Sequence, residues 1–146
     1  MNNYGKWWDT TITLYNRIEE DKKIKWYRHV ISECFYKHTQ DSLKLGQTVV
    51  SSDVSICRIK VSKDFVTKRE YVELSDMDRK DMFTLSPNDI IVPEETDFEI
   101  DEYTKGSRSS DLLSKYREYP GCFTIDTVNV NIGGERGNQH YLAKGN

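Results

Sequence analysis

The sequence predicts a mainly β fold, a small β-barrel-like domain with long loops and one short α-helix. Three observations predict it: segments in which apolar and polar residues alternate, turn-forming residues between those segments, and a length of 146 residues that suits one domain. Hydrophobic residues make up 36% of the chain and aromatic residues 12%, enough to anchor a core without metal or disulfide support. We therefore treat residues 1–146 as a single domain.

Two strands are predicted near the start of the chain. Residues 10–15 alternate threonine with Ile12 and Leu14, which share one face of a sheet. Charged and turn-prone residues at 16–23 separate this strand from a second segment, residues 24–36, at the distance of a β-hairpin. The buried face of the second segment changes near Val30, which predicts a bulge or a break there.

The middle of the chain alternates short apolar segments with polar ones. Residues 40–53 are polar but contain leucines and valines, and they predict either a β-excursion or a loop that packs against a neighbour. Residues 53–61 predict a strand whose buried face changes around Cys57 and Arg58. Residues 62–82 are densely charged and predict a loop excursion at the surface with room for one short strand.

The second half supplies the remaining core. Residues 83–92 predict a core unit around a turn at 87–89, and Pro93 ends it because proline lacks the donor for strand pairing. Ser109 and Ser110 are candidate N-caps of one short helix that stops before Pro120. Residues 122–132 and 141–143 predict the last two strands.

Residues 94–108 form a second predicted loop excursion, and their first part, 94–103, is strongly acidic. A calcium loop is one interpretation of this stretch, and a solvated loop or edge is the other. The second is favoured because the central glycine and terminal glutamate of an EF-hand do not occur at the required offsets. No metal site is predicted.

The cysteines and histidines do not form a recognisable metal-binding or catalytic motif. Cys34, Cys57 and Cys122 are widely spaced beside apolar residues and predict buried thiols. The histidines form no metal-ligand motif, and no activated-nucleophile signature accompanies them. The glycines at 133–137 run into a strand, so they predict a hairpin turn and not a phosphate loop. We therefore predict no enzyme activity, no catalytic residue and no cofactor.

Charge and hydropathy favour protein partners. The net charge is −3, and the 24 acidic and 21 basic residues are mixed along the chain without a basic stripe, which argues against autonomous nucleic-acid binding. The start of the chain lacks an apolar run of signal-peptide length, and about 18 consecutive apolar residues occur nowhere. We expect a cytoplasmic protein with no membrane association.

Several short motifs carry a family resemblance. They are T-I-T-L-Y-N at 11–16, W-Y at 26–27, C-R-I at 57–59, T-L-S-P-N-D-I-I-V at 84–92, S-D-L-L at 110–113 and the closing G-N-Q-H-Y-L-A-K-G at 137–145. In this order they resemble phage minor capsid and head-closure proteins, the stopper-like head–tail connector family. The stretches at 62–82 and 94–103 depart from that family's compact pattern.

The resemblance implies a subunit in the neck of a tailed phage, made in the host cytoplasm and assembled as a homo-oligomeric ring below the portal. There it would help to retain DNA and dock the tail. The implied partners are the portal or adaptor proteins and the tail proteins, with passive proximity to DNA in the channel. A tail-completion or tail-terminator protein is the alternative in this class, and a small ligand-binding or enzyme domain is the alternative from another class.

Candidate interface residues share a large apolar side chain in an otherwise polar segment. They are Tyr4, Trp7 and Trp8 in an N-terminal arm of residues 1–9, together with Leu43, Leu45, Phe65 and Tyr71. The alternative for Trp7 or Trp8 is that one of them folds back to cap the barrel. We expect the excursions at 37–52 and 62–81 to make the intersubunit, portal-side or lumen contacts.

Overall fold

The computed structural model describes residues 8–45, 48–118, 121–131 and 139–146, and for 40–45 and 48–53 only the backbone. The strands are β1 (Thr10–Glu20), β2 (Lys23–Leu45), β3 (Thr48–Lys60), β4 (Ile90–Val92), β5 (Phe123–Asn131) and β6 (His140–Gly145), and the helices are α1 (Lys68–Val72), α2 (Asp76–Asp81) and α3 (Ser109–Lys115). The six strands close an antiparallel barrel in the order β1-β2-β3-β6-β5-β4. The predicted β-barrel class is confirmed.

The barrel has apolar residues on both faces of β1. Ile12 and Leu14 point into the barrel, where they pack with Phe123 and other fully buried side chains. Tyr15, of the opposite parity, packs outside the barrel with Leu112 of α3. Both faces of β1 are therefore covered, and Thr13 and Tyr15 on the outer face are as fully buried as Ile12 and Leu14.

The first hairpin differs from its prediction. Residues 16–20 were expected to belong to a turn, but β1 continues to Glu20 and the turn consists of Asp21 and Lys22, whose φ angles of 55° and 63° suit a tight two-residue hairpin. The prediction was wrong because Asn16 is a frequent turn residue. Here it continues the inward parity of β1 and is fully buried beside Ile18.

The predicted change of face in β2 is confirmed, although it lies slightly later in the chain. The register with β1 shifts between Ile31 and Cys34, and Glu33 adopts a φ of 56°. From Phe35 onward β2 pairs with β3. The change of face predicted in β3 was wrong, because Cys57 and Ile59 follow the same inward alternation as the residues before them.

Residues 62–82, which we name the cap, form two short helices where a loop was predicted. Thr67 and Glu70 make a capping box at the start of α1, and the Ser75 side chain accepts a hydrogen bond from the Asp78 N–H at the start of α2. With five and six residues, these helices are too short to show a helical period. The chain therefore has three short helices among its described residues and not one.

The acidic excursion at 94–108 lies against the outer face of the barrel. Ile100 is buried and Phe98 half-buried in the cluster that includes Leu112. Helix α3 forms as predicted, but its N-cap position is Arg108, whose N–H donates to the Asp111 carboxylate at 3.0 Å. The excursion and α3 together cover the sheet formed by β1, β2 and β4.

Candidate interaction surfaces

The strands β2 and β3 extend beyond the barrel wall. β2 pairs with β1 only as far as Cys34, and β3 pairs with β6 only from Ser55 onward. Within the described chain, residues 39–45 and 48–54 therefore pair only with each other. Seven residues of β2 at the rise of an antiparallel strand span about 24 Å. We name this two-stranded projection the ribbon. Of the two alternatives predicted for residues 40–53, the structure shows the β-excursion and not the packed loop.

The register of the ribbon places most of its apolar positions on one face. Leu43 pairs with Val50, and Leu45 pairs with Thr48. Directly paired residues of an antiparallel ribbon share one face, and every second residue along a strand returns to it. These four positions therefore lie on one face, while Lys44 and its partner Val49 belong to the other.

A cleft of about 530 Å³ opens at the opposite end of the same strand pair. Residues 28–32 of β2 form one wall, residues 59–62 form the other, and Phe83 lies between them. Along this stretch, residues 28–31 pair with β1, and Ile59 and Lys60 pair with β6. Within the described ranges, the pairing of β2 with β3 begins only at Phe35 and does not extend to the cleft. Val30 and Val61 flank it, and each is 42% exposed.

The charged groups around the cleft are mixed in sign. Arg28 donates to the Glu99 carboxylate at 2.8 Å, and Lys60 donates to the Glu33 carboxylate at 2.7 Å. Hydrogen bonding to Lys60 lowers the pKa of Glu33. Among the residues that the structure describes, no three His, Cys, Asp or Glu side chains are grouped to hold a metal ion. The cleft is lined by strand backbone together with apolar and charged side chains, and such a lining suits an extended peptide.

One arginine holds the cap on the barrel. Arg79 is 2% exposed, and its guanidinium donates to the Tyr71 carbonyl at 3.2 Å, the Val72 carbonyl at 2.6 Å, the Tyr27 hydroxyl at 3.1 Å and the Glu20 carboxylate at 2.9 Å. The Arg79 hydrogen bond lowers the pKa of Glu20. This set of bonds joins α1 and α2 to the first hairpin, so the cap closes the barrel and is not a free loop.

His29 lies under the cap. Its Nε2 is 3.1 Å from the Tyr71 hydroxyl, which donates its own proton to the Arg79 carbonyl at 2.6 Å. The Tyr71 oxygen must therefore accept from Nε2–H. Burial, helped by the nearby positive Arg28, lowers the pKa of His29 to about 4, so the imidazole is neutral near pH 7. The buried histidine thus joins β2 to the cap through its hydrogen bond with Tyr71.

A second buried network holds the T-L-S-P-N-D motif against β1. The Asp89 carboxylate accepts from the Arg17 N–H at 2.9 Å, the Asn16 amide at 2.9 Å and the Ser86 N–H at 3.0 Å. The Asn16 amide also donates to the Thr84 carbonyl at 2.6 Å. Burial raises the pKa of Asp89 to about 6, against the effect of these hydrogen bonds. These hydrogen bonds fasten the motif to β1, although the Thr84 hydroxyl is buried without a hydrogen-bond partner among the described residues.

The backbone of the acidic excursion forms hydrogen bonds with side chains of the barrel. The Thr13 hydroxyl donates to the Glu94 carbonyl at 2.8 Å and accepts from the Thr96 N–H at 3.0 Å. The Tyr15 hydroxyl donates to the Phe98 carbonyl at 2.7 Å. The excursion is therefore a bound cover on the sheet, with its carboxylates on the outside.

The predicted interface residues fall into different environments. Trp8 is half-buried with its ring centroid 6.1 Å from that of Phe35, and Phe65 is half-buried and stacks on Tyr141 with centroids 4.0 Å apart. Tyr71 is fully buried within the cap, so its prediction as a surface contact is wrong. The sequence did not indicate its burial, because the five residues of α1 are too few to show a helical period.

The other interface candidates are described only in part. Tyr4 and Trp7 lie outside the described residues, whereas Leu43 and Leu45 lie on the ribbon, where the backbone alone is described. Sequence reasoning did not single out Arg79, Asn16 or Asp89. The serine and threonine caps before each short helix were the available signal for the cap.

The thiols follow their prediction in part. Cys34 and Cys57 are fully buried in the barrel interior, whereas Cys122 is half-buried. Burial raises the pKa of Cys122 to about 11, and a hydrogen bond with Cys34 together with burial raises the pKa of Cys57. Such thiols are poor nucleophiles at neutral pH.

A family model described as a family of unknown function, DUF6751, matches residues 7–146. The chain belongs to the DUF6751 family. The match spans all nine described elements, so the ribbon, the cap and the acidic excursion of this DUF6751 chain lie within it. Neither a curated protein nor a solved structure matches the chain. None of the three helices in the described ranges has the length and hydropathy to cross a membrane.

Proposed function

We propose that this DUF6751 chain is a structural subunit of a tailed phage, a head–tail connector or head-closure protein. In this proposal it forms a ring below the portal, helps to retain packaged DNA and docks the tail. It is made in the host cytoplasm and resides in the neck of the virion. It has no catalytic role, and its partners are other copies, portal or adaptor proteins and tail proteins.

The ribbon is the observation that carries an assembly role. An isolated two-stranded hairpin is marginally stable in water, because it lacks a third strand or a packed face. The ribbon extends about 24 Å past the barrel with no further strand neighbour in the described chain. A ribbon with Leu43 and Leu45 on one face gains stability when another surface covers that face. The phage assignment itself rests on the resemblance of the short motifs.

The remaining features are compatible with the proposal. The polar groups buried at Arg79 and Asp89 hold the barrel together, which leaves the surface for contacts. A net charge of −3 would let DNA pass a ring lumen without adhering, because like charges repel. A tail-completion or tail-terminator protein would use the same features, and its position in the particle would distinguish it.

A small ligand-binding domain is the candidate from another class, and the cleft is the observation that favours it. Its volume of about 530 Å³ lies in the range of small-molecule sites. Its walls are, however, largely strand edges and paired charges, which suit a polypeptide better than a compact ligand. We therefore place the ligand-binding function second.

The deciding measurement is cryo-electron microscopy of particles of the phage that encodes the chain. We expect density for a ring of copies directly below the portal. Density at the tail end of the neck would favour the tail-terminator alternative. Absence of the chain from the particle would overturn the structural role and return the cleft to consideration as a ligand site.

Shortening the ribbon tests its part in assembly. The variant joins Thr39 to Val54 through Asn-Gly, a sequence that favours a tight hairpin turn. We expect its thermal unfolding to match that of the parent, because the removed residues pair only with each other, while its incorporation into particles is lost. Met77→Ala, which alters a 76% exposed residue of the cap, is the matched control and should be incorporated. Normal incorporation of the shortened chain would contradict the role of the ribbon.

A further inference from the structure

We propose that residues 127–131 of β5, which we name the β5 edge, pair antiparallel with the same residues of a second copy around a two-fold axis at Asn129. The contact would continue the sheet of one barrel into the other through main-chain hydrogen bonds. This inference goes beyond the proposed function, because it concerns the free chain in solution and a surface other than the ribbon.

The β5 edge has a strand neighbour on one side only within the described chain. The first two residues of β5 pair with β4, and the backbone of Ile125 bonds to Asn88 and Asp89. Beyond this point, residues 127–131 pair with β6 and with no other strand among the described residues. All of them except the half-buried Val128 are exposed. Such an edge is a template for pairing with another strand.

The sequence of the β5 edge lacks the features that normally prevent strands from pairing. Natural edge strands carry charged residues or proline, which block pairing with another chain. Residues 127–131 have the sequence T-V-N-V-N, without a charge or a proline, in a chain whose residues are 31% charged. Val130 is 47% exposed, and its β-branched side chain favours a strand with a packed face. An uncharged, exposed edge of this kind indicates that another strand covers it.

The order of the side chains fits a second copy of the same strand. Antiparallel pairing centred on Asn129 places Asn129 opposite its own counterpart and Val128 opposite Val130 of the second copy. Thr127 then lies opposite Asn131. Because successive side chains alternate between the faces of a sheet, valine meets valine on one face and short polar side chains meet on the other. Val128 already packs against the barrel core, so the second copy's Val130 would extend that apolar cluster.

Electrostatics does not oppose this contact, although a two-fold contact brings identical surfaces together. The charge nearest to the β5 edge is Asp126, directly before it. In the proposed register the two Asp126 side chains lie about 20 Å apart, which exceeds the Debye length of about 8 Å at physiological salt. A contact that uses the same surface on both copies closes at two copies. A ring in the particle would therefore use other surfaces.

Disulfide trapping of the full-length chain tests the register. Asn129→Cys is made in a Cys122→Ser background, which leaves only the two buried native thiols. Directly opposed residues of an antiparallel pair have Cα atoms about 4.5–5.5 Å apart, a separation that suits a disulfide. On exposure to oxidised glutathione we expect a covalent dimer on a non-reducing gel. Thr127→Cys is the matched control on the same face, and its two copies, about 14 Å apart, should stay monomeric.

Mixed chains and a charge substitution give two further tests. Thr127→Cys and Asn131→Cys should each stay monomeric alone and form a covalent heterodimer when they are mixed. In sedimentation velocity, the parent should show a dimer whose fraction rises with concentration. Val130→Lys places a cation against Val128 of the second copy and should weaken dimerisation at least about tenfold. Val72→Lys makes the same change at a valine of the cap that is 41% exposed, and it should dimerise as the parent does.

The outcomes distinguish this inference from the proposed function. Equal cross-linking of Asn129→Cys and Thr127→Cys, no cross-linking of either, or a parent that is monomeric at every concentration would overturn pairing at the β5 edge. The cross-linking result does not depend on whether Val130→Lys folds. A ring below the portal in cryo-electron microscopy would in that case leave the connector function standing. Absence of the chain from particles, together with efficient cross-linking of Asn129→Cys alone, would retain the β5 contact and overturn the connector.

Discussion

The cap and the ribbon have similar compositions but take opposite positions in the fold. Both are polar, charged segments with scattered apolar residues, and both were predicted to make contacts with other proteins. The cap turns inward: Tyr71 and Arg79 are buried, and hydrogen bonds tie α1 and α2 to the first hairpin. The ribbon turns outward and pairs only with itself among the described residues. One polar segment therefore completes the fold, while the other is available for assembly.

The difference depends on where each segment can satisfy its backbone and polar groups. The cap buries an arginine only because four acceptors surround the guanidinium, since a buried cation without partners is strongly disfavoured. In the ribbon, each strand pairs with the other, so the backbone groups on the inner side of each strand form hydrogen bonds between the strands. The backbone groups on the outer sides form the two edges of the ribbon within the described chain. A polar composition alone does not reveal which of these solutions a segment adopts.

Removal of the Arg79 guanidinium is the strongest test of the cap. Arg79→Ala leaves the Val72 carbonyl, the Tyr27 hydroxyl and the Glu20 carboxylate without the guanidinium, and we expect a loss of about 4 kcal/mol in the free energy of unfolding. Urea denaturation followed by tryptophan fluorescence measures it. Lys80→Ala changes the exposed neighbour in the same helix and should stay within about 0.5 kcal/mol of the parent. Equal effects of the two substitutions would show that the cap is not held by Arg79.

The pH dependence of stability tests the packing of His29 under the cap. Because the pKa of His29 is about 4 in the folded protein and about 6.5 when exposed, the unfolded chain takes up a proton between these values that the folded protein refuses. The parent therefore loses about 3 kcal/mol of stability from this group as the pH falls from 6.5 to 4. His29→Gln keeps a donor toward Tyr71 and removes the titration. Its stability relative to the parent should rise over that window.

Asp89→Asn is the matched variant of opposite sign. The pKa of Asp89 is about 6 in the folded protein and 3.8 when exposed, so its protonation stabilises the fold below about pH 4 and this contribution is lost as the pH rises through 6. Relative to the parent, Asp89→Asn should become less stable as the pH falls from 6 to 4. Chemical denaturation at several pH values measures both variants. Parallel slopes for the two would contradict the buried, neutral state of His29.

The smallest expected effect concerns the buried amide that links β1 to the T-L-S-P-N-D motif. Asn16→Ala leaves the Thr84 carbonyl without its donor and the Thr84 N–H without its acceptor, and we expect a loss of about 2 kcal/mol. Asn129→Ala, at an exposed position of β5, should change stability by about 0.5 kcal/mol or less. Differential scanning calorimetry compares them. A tolerated Asn16→Ala would mean that the motif is held by packing alone.

Local patterns predicted the elements that repeat a period over enough residues. The alternation at 10–15 marked β1, and the run from Ser109 to Tyr116 marked α3, because inward positions recur at fixed spacing. The same reasoning ended β1 too early, at Asn16. The turn preference of Asn16 is local, whereas its hydrogen bonds reach Thr84 and Asp89 far along the chain. The two helices of the cap were not predicted, because neither completes two turns.

By itself, the sequence determined the β class, the position of most strands and the burial of Cys34 and Cys57, since alternation and composition act over a few residues. Only the tertiary structure decided which polar segment covers the barrel and which projects from it. The contacts responsible join residues far apart, such as Arg79 to Glu20 and Thr13 to Thr96. It also decided that β2 and β3 separate at one end into a cleft and continue at the other into a ribbon, because strand pairing is a property of two segments and not of either alone.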